Sequence, residues 1–270
     1  MFGKFFGSFL LVLFLAVITV YADIIAVPAS SRQLEIALTR AQRGDTLMLE
    51  NGRYRGGFRV PAGVCIMAKE YGKAEIQARG REKVISLSNG NTLSGLRITG
   101  GTIGVYSEGM DNSILACMIS HNRQTGILAV AHFVEIEDNL IFRNSGSGIQ
   151  LWDVETDGEI LNNTIVFNEN HGISIGGTSR VGLVNNIIAF NGRFVVQINA
   201  ESEVFQEFNV FLSYIQVNMV LPENNFSFDP EFENPGVNDF RLMETSKGFN
   251  NGRNGTSIGS RIYTALWRME

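Results

Sequence analysis

The sequence predicts an all-β chain wound as a single-stranded parallel β-helix, and two repeating features predict it. An apolar anchor recurs at Ile98, Ile119, Ile141, Ile165 and Ile188, with spacings of 21, 22, 24 and 23 residues. Seven or eight residues after each comes a second anchor, at Val105, Ile127, Ile149, Ile173 and Val196, and Gly104, Gly126, Gly148 and Gly172 directly precede the first four. A unit this short cannot bury its own apolar face, so its stability requires neighbours to stack and close one continuous core. Five or six clear coils are expected, paired in parallel about 4.8 Å apart.

The composition of each coil separates this fold from the other short periodic architecture, the leucine-rich repeat. That repeat needs a Leu lattice with a helical limb. Here Ile and Val alternate with polar residues around Gly and Asn, which favour strands and bends. Asn122, Asn144, Asn168 and Asn191 stand three residues after an anchor, and Asn139, Asn163 and Asn186 stand two before one. Three strands per coil fit these corners best.

The phrases LNNTIVFNENHGISI (161–175) and LVNNIIAFNGRFVVQI (183–198) resemble the right-handed parallel β-helix of the pectate-lyase-like superfamily, over roughly residues 45–215. The resemblance implies that the strand after Gly lies in the first sheet. It also implies that Asn139, Asn163 and Asn186 form an internal ladder at the turn between the second and third sheets, where stacked amides satisfy polar groups that would otherwise be buried unpaired.

The flanks divide the chain further. Residues 1–22 read as a secretory signal peptide: one charge (Lys4), an apolar stretch from Phe5 to Val20, and a small-residue exit at Ala22. This predicts a secreted or periplasmic protein, with membrane contact only if the segment is retained as an anchor. Residues 23–44 form an N-terminal cap. Within it, Ser30 is placed to cap a helix whose stripe of Leu34, Ala37, Leu38 and Ala41 covers the open end of the first coil, and Gly44 stops it. Residues 45–55 then read as the first coil and 45–215 as the coils. Residues 216–270 are an irregular closing segment in which Asp229 to Leu242 looks like the ending common in secreted β-helix proteins.

Charge and cysteine content narrow the function classes. The net charge is −5 and no basic cluster stands in the sequence, which argues against a nucleic-acid partner. A monomer is expected. Of the two cysteines, Cys117 falls at a ladder-Asn position and Cys65 about two coils earlier, roughly 10 Å away and too far for a disulfide. Two buried free thiols are expected.

In the strand after each Gly, alternation points Ile149 and Leu151 inward and Gln150 and Trp152 outward. The same register gives outward columns of Tyr106, Leu128, Gln150, Ser174 and Gln197, and of Glu108, Val130, Trp152, Gly176 and Asn199. Aromatic faces stack on sugar C–H surfaces and amides bond hydroxyls, so Tyr106, Gln150, Trp152, Gln197 and Asn199 are candidate binders of a polysaccharide or cell-surface glycan. The resemblance implies use of this same face.

The loops after these strands carry the ionisable groups. A uronate lyase or epimerase needs a base for the C5 proton and a cation to stabilise the carboxylate and the developing enolate. His132 is the candidate base and Arg180 the candidate electrophile, joined by Asp153; coil spacing brings these loops within about 5–10 Å of each other. Asp153, Glu155 and Asp157 are candidate Ca²⁺ ligands, since hard cations take carboxylate oxygens. His121 and His171 read as corner residues. No pair of acids stands on one outward strand, which argues against a glycosidase. The outer columns show no Lys or Arg, where lyases of this fold often place one. Two readings follow: a carbohydrate-active lyase or epimerase of acidic glycans, and a non-catalytic glycan-binding or structural β-helix.

Overall fold

The anchors become ladders. A computed structural model describes residues 22–80, 82–130, 133–213 and 221–261, with the backbone alone for 155–159. The predicted signal peptide therefore lies outside the described residues, except Ala22. Ile98, Ile119, Ile141, Ile165 and Ile188 pair in one row of fully buried side chains that continues to Phe211. Val105, Ile127, Ile149, Ile173 and Val196 form a second row. The fold is a right-handed parallel β-helix of about eight turns. The stack is longer than the five or six coils expected, because the first coils lack the Gly-Ile and Asn-Asn phrases that marked the others.

Three parallel sheets run the length of the stack. Among the described residues the first sheet has seven strands, from Phe58–Arg59 to Val196–Ile198. The second has nine, from Ile24–Val27 to Glu203–Glu207, and the third eight, from Gly52–Arg55 to Val210–Ser213. Ile24–Val27, inside the predicted cap, pairs in parallel with Thr46–Leu49, so the stack starts one strand earlier than residue 45. A helix at Ser31–Arg40 follows that strand. It buries Leu34, Ala37 and Leu38 against the core, with Ala41 packed alongside. Ser30 is the N-cap by backbone conformation, but its hydroxyl makes no cap bond; instead the Ser31 hydroxyl accepts the N–H of Arg55.

Side-chain amides hold the corners. At the turn between the second and third sheets, Asn163 Oδ1 accepts the N–H of Asn139 (2.9 Å) and its Nδ2 (3.0 Å). Asn163 Nδ2 in turn reaches Ile136 O (2.9 Å) and Asn186 Oδ1 (3.0 Å). The ladder continues through Asn209 to Asn225. Cys117 occupies one rung, donating its N–H to Asn139 Oδ1 (2.9 Å). Burial pushes its thiol up to about 12, partly offset by hydrogen bonding with the backbone. A second ladder, not recognised as one in the sequence, links Asn122, Asn144, Asn168 and Asn191 at the turn from the third sheet back to the first.

The residue before each ladder amide is left-handed: Asp138, Asn162, Asn185, Phe208 and Asn224 at one corner, where Ala116 does the same before the Cys117 rung, and His121, Arg143, Phe167 and Phe190 at the other, with φ between 52° and 61°. Left-handed geometry in a non-glycine residue costs on the order of 1–2 kcal/mol, so the amide bonds stabilise a turn that the local sequence resists. Gly148 has a different role. A Cβ there would sit 2.5 Å from Ile165 Cγ2 and 2.8 Å from the Gly172 carbonyl, so only glycine lets successive coils approach.

Both cysteines are free, as expected, but only Cys117 is buried. Cys65 is half-buried because it points to the outer face of the second sheet, paired between Thr46 and Thr92. The outer face of the third sheet is apolar at Leu140, Phe142, Val166, Ile187 and Ala189, and the closing segment covers it with Phe232, Phe240 and Ile258. Arg261 fastens that segment to Glu137 (2.9 Å) and Asp138.

Replacement of Asn163 by Ala removes the acceptor of the Asn139 N–H and the side-chain donor to Ile136 O and Leu161 O, and takes away one of the bonds made by each of Asn139 Nδ2 and Asn186 Oδ1. The expected loss is about 3 kcal/mol of stability, from buried groups left unsatisfied, read as a lowered urea midpoint. A loss under about 0.5 kcal/mol, the range of a neutral surface change, would show that the ladder is dispensable.

Candidate functional site

The outer row of the first sheet is continuous over seven strands. Arg59, Ser86, Tyr106, Leu128, Gln150, Ser174 and Gln197 pair in sequence along it. The expectation that this face carries no Lys or Arg is therefore corrected. Arg59 sits on a two-residue strand, Phe58–Arg59, too short to show alternation and without a preceding Gly-Ile phrase.

A charged cluster forms at this end of the row. The Arg59 guanidinium pairs with Glu108. Lys83 Nζ lies 3.2 Å from the Tyr106 ring centroid, a cation–π contact. The hydrogen bond from Arg59 is the main reason that the Glu108 carboxyl stays below its ordinary value, with burial opposing it. Burial pushes the Tyr106 phenol up, and its bond to Glu108 adds to that. At neutral pH the cluster thus presents two cations, one carboxylate and one protonated phenol.

Two rungs further along, Trp152 is half exposed, and its indole lies over Gly176, where a Cβ would meet Cε3 and Cζ3 at 2.6 Å. The glycine seats the ring on the sheet. Val130, Trp152 and Gly176 pair in a parallel second row, and Asn199, just past the end of the last strand, donates its N–H to Ile175 O (2.9 Å). Rung spacing puts Gln150 about 10 Å from Tyr106 along the row.

Only part of the sequence-derived catalytic group falls within the described residues. His132 lies outside the described residues. Asp153, left-handed at φ 52°, accepts the Thr178 N–H (2.9 Å) and hydroxyl (3.3 Å) on Oδ1, which ties it to the next turn. Arg180 lies on the second sheet and pairs with Glu203 at 3.1 Å, both side chains exposed. Glu155 and Asp157 lie on the strand Glu155–Leu161, Glu155 in register with Arg180; their side chains are outside the description. His121 and His171 occupy corners, as read from the sequence. The Nδ1 of His171 accepts the Phe194 N–H (3.3 Å), its ring stacks on Phe194, and burial holds its pKa down, as does Arg193.

Known proteins share this architecture. A PL6 alginate lyase in complex with a trisaccharide superposes with a TM-score of 0.50 at 17% identity, over 70% of this chain and 50% of that one. The pectate lyase Pel9A gives 0.47 at 15% identity, over 89% and 96%. A mutant of the periplasmic alginate epimerase AlgG gives 0.46 at 12%, over 70% and 58%. At these identities the likeness is one of fold, and the chain spans only half the length of the PL6 lyase. No curated protein matches the chain in sequence.

A family model described as periplasmic copper-binding protein (NosD) matches residues 43–233. Among the described residues no three His, Cys, Asp or Glu side chains converge on a metal-sized site. Soft sulfur donors do adjoin, however. Met48 pairs with Met67, and Cys65 stands two residues before Met67 on the same outer face of the second sheet, all three half-buried. Thiolate and thioether are the ligand types that copper(I) prefers, so this donor set fits the metal chemically. The described helices include none long and apolar enough to cross a membrane. With the family match covering well over half of its length, the chain belongs to the NosD family of periplasmic proteins.

Proposed function

We propose that this is an exported protein that lays an acidic polysaccharide along the outer face of its first sheet. The observation that carries the reading is the row from Arg59 to Gln197 with Trp152 beside it. It combines cations for carboxylates, amides and hydroxyls for sugar hydroxyls, and one fixed aromatic platform. The solved proteins of similar fold named above are alginate and pectate lyases and an alginate epimerase, which supports a glycan ligand by analogy of fold.

The chemistry assigned to the site is proton transfer next to a uronate carboxylate. Arg59 and Lys83 neutralise that carboxylate, which acidifies the neighbouring C5 proton. Tyr106, protonated at neutral pH, donates to the glycosidic oxygen as it leaves, and Glu108 holds Arg59 and Tyr106 in place. His132, which lies outside the described residues, is the base candidate that takes the C5 proton, with Arg180 and Asp153 the other residues of that set. A non-catalytic binding role needs the same row without the proton transfer.

Two measurements test this. Trp152→Ala is expected to weaken binding of uronate oligosaccharides by about 1–2 kcal/mol, roughly 5- to 30-fold, by calorimetry; unchanged affinity would remove this face from the account. Incubation with alginate and pectate, with and without Ca²⁺, is expected to generate unsaturated products or epimerised residues, abolished by Arg59→Ala and Tyr106→Phe. Turnover lost instead in His132→Ala or Arg180→Ala, with Arg59→Ala and Tyr106→Phe still active, would move the chemistry away from the first-sheet row. No turnover on any substrate would leave binding alone.

The family's metal supports a second reading. Met48, Cys65 and Met67 would hold copper(I) through one thiolate and two thioethers, a redox-sensitive store on the face away from the sugar row. Burial holds the Cys65 thiol above its ordinary value, with its bond to Thr46 opposing, so copper uptake there should release a proton. Competition against a chromogenic copper(I) chelator should show one equivalent bound by the native chain and none by Cys65→Ser. Equal binding by both would reject this site.

A further inference from the structure

A second surface draws together charges that are scattered in sequence. Three hollows of about 410–420 Å³ each adjoin along the outer face of the third sheet and the corner beyond it. Gln77 lines both the first and the second, and His121 both the second and the third, so they form one groove. Val237 and Asn238 of the closing segment wall its middle.

Six exposed arginines line the groove: Arg53, Arg55, Arg79, Arg97, Arg123 and Arg143. Three carboxylates face them. Glu75 pairs with Arg53 (3.1 Å), Glu82 with Arg55 (3.7 Å), and Glu169 lines the third hollow. More than a quarter of the 22 basic residues of an acidic chain thus share one strip. Arg53, Glu75 and Arg97 are consecutive in one row, placing the two arginines about 10 Å apart by rung spacing. Gln77, Thr99 and Ser120 run parallel to them in the next row. The strip is felt inside the groove: burial first, then Arg143 and Arg97, hold the His121 pKa below its ordinary value.

We propose that this groove is a binding track for a carboxylated polysaccharide, separate from the first-sheet row and independent of the reading given to that row. Cations spaced along a straight axis suit an extended chain with a charge on each repeat, whereas a single phosphate needs them to converge. In the parallel row Gln77 is open to the sugar hydroxyls between those charges, with Thr99 and Ser120 buried beside it. Single-stranded nucleic acid would need open aromatic faces for base stacking. The rings at this wall, Phe142 and Phe167, are instead packed against Phe240.

The test is binding of a fluorescently labelled oligogalacturonate to the whole secreted chain. The double variant Arg97→Glu/Arg123→Glu should bind at least about tenfold more weakly at low salt, while Arg97→Lys/Arg123→Lys stays within about threefold, and native affinity should fall as salt rises. Bound oligogalacturonate should also shield Arg97 and Arg123 from phenylglyoxal, read by mass spectrometry, a measurement that needs no variant. Unchanged affinity in the folded charge-reversal variant, or no shielding, overturns the proposal. Binding lost in Trp152→Ala but kept in the charge-reversal variant overturns it too and leaves the first-sheet reading standing; the reverse pattern sinks the first-sheet reading alone. A single-stranded RNA of equal charge binding as tightly would make the groove a general polyanion surface and overturn the polysaccharide assignment.

Discussion

The amide ladders at the corners are the interaction on which the rest of this molecule depends. A parallel β-helix must reverse direction three times per turn within a few residues, and here two of the three corners do so through a left-handed non-glycine residue followed by a buried amide. Alone, such a turn is unfavourable and leaves backbone groups without water. Stacked, each asparagine accepts from the coil before it and donates to the coil after it, so the corner is satisfied only when its neighbours are present. Rigid corners then fix strand register. Register in turn decides which side chains share a row on the outside.

The outer faces of the third and first sheets have different fates because their residues differ. Strands of the third sheet such as Leu140–Phe142 and Thr164–Val166 are buried at every position, and the closing segment covers them. The first sheet alternates, leaving Gln150, Ser174 and Trp152 outside. The uncovered N-terminal half of the third sheet is polar and basic instead, at Arg53, Arg55 and Arg97. A rod with one covered patch and two open, chemically distinct strips can engage an extended polymer along its length.

The catalytic set read from the sequence and the first-sheet cluster differ in physical character. Asp153 and Arg180 make local bonds that tie one coil to the next, to Thr178 and Glu203. Arg59, Lys83, Tyr106 and Glu108 come from three separate coils and interact across them, in a setting that shifts both titratable groups. Groups drawn together from distant positions, with perturbed ionisation, are the commoner mark of a functional site.

Much of this was legible in the chain. The spaced isoleucines, the Gly before each first-sheet strand and the Asn corners determined the solenoid and the outward columns through Trp152, because alternation and period are local properties. Only the tertiary structure decided the rest. It placed Arg59 on the first sheet, since two residues carry no pattern, and it showed the second amide ladder, which depends on stacking. It also gathered six arginines spread over residues 53–143 into one groove. Charges that lie a full coil apart in sequence become neighbours only when rungs pair, and coils of unequal length leave that pairing to be settled by packing.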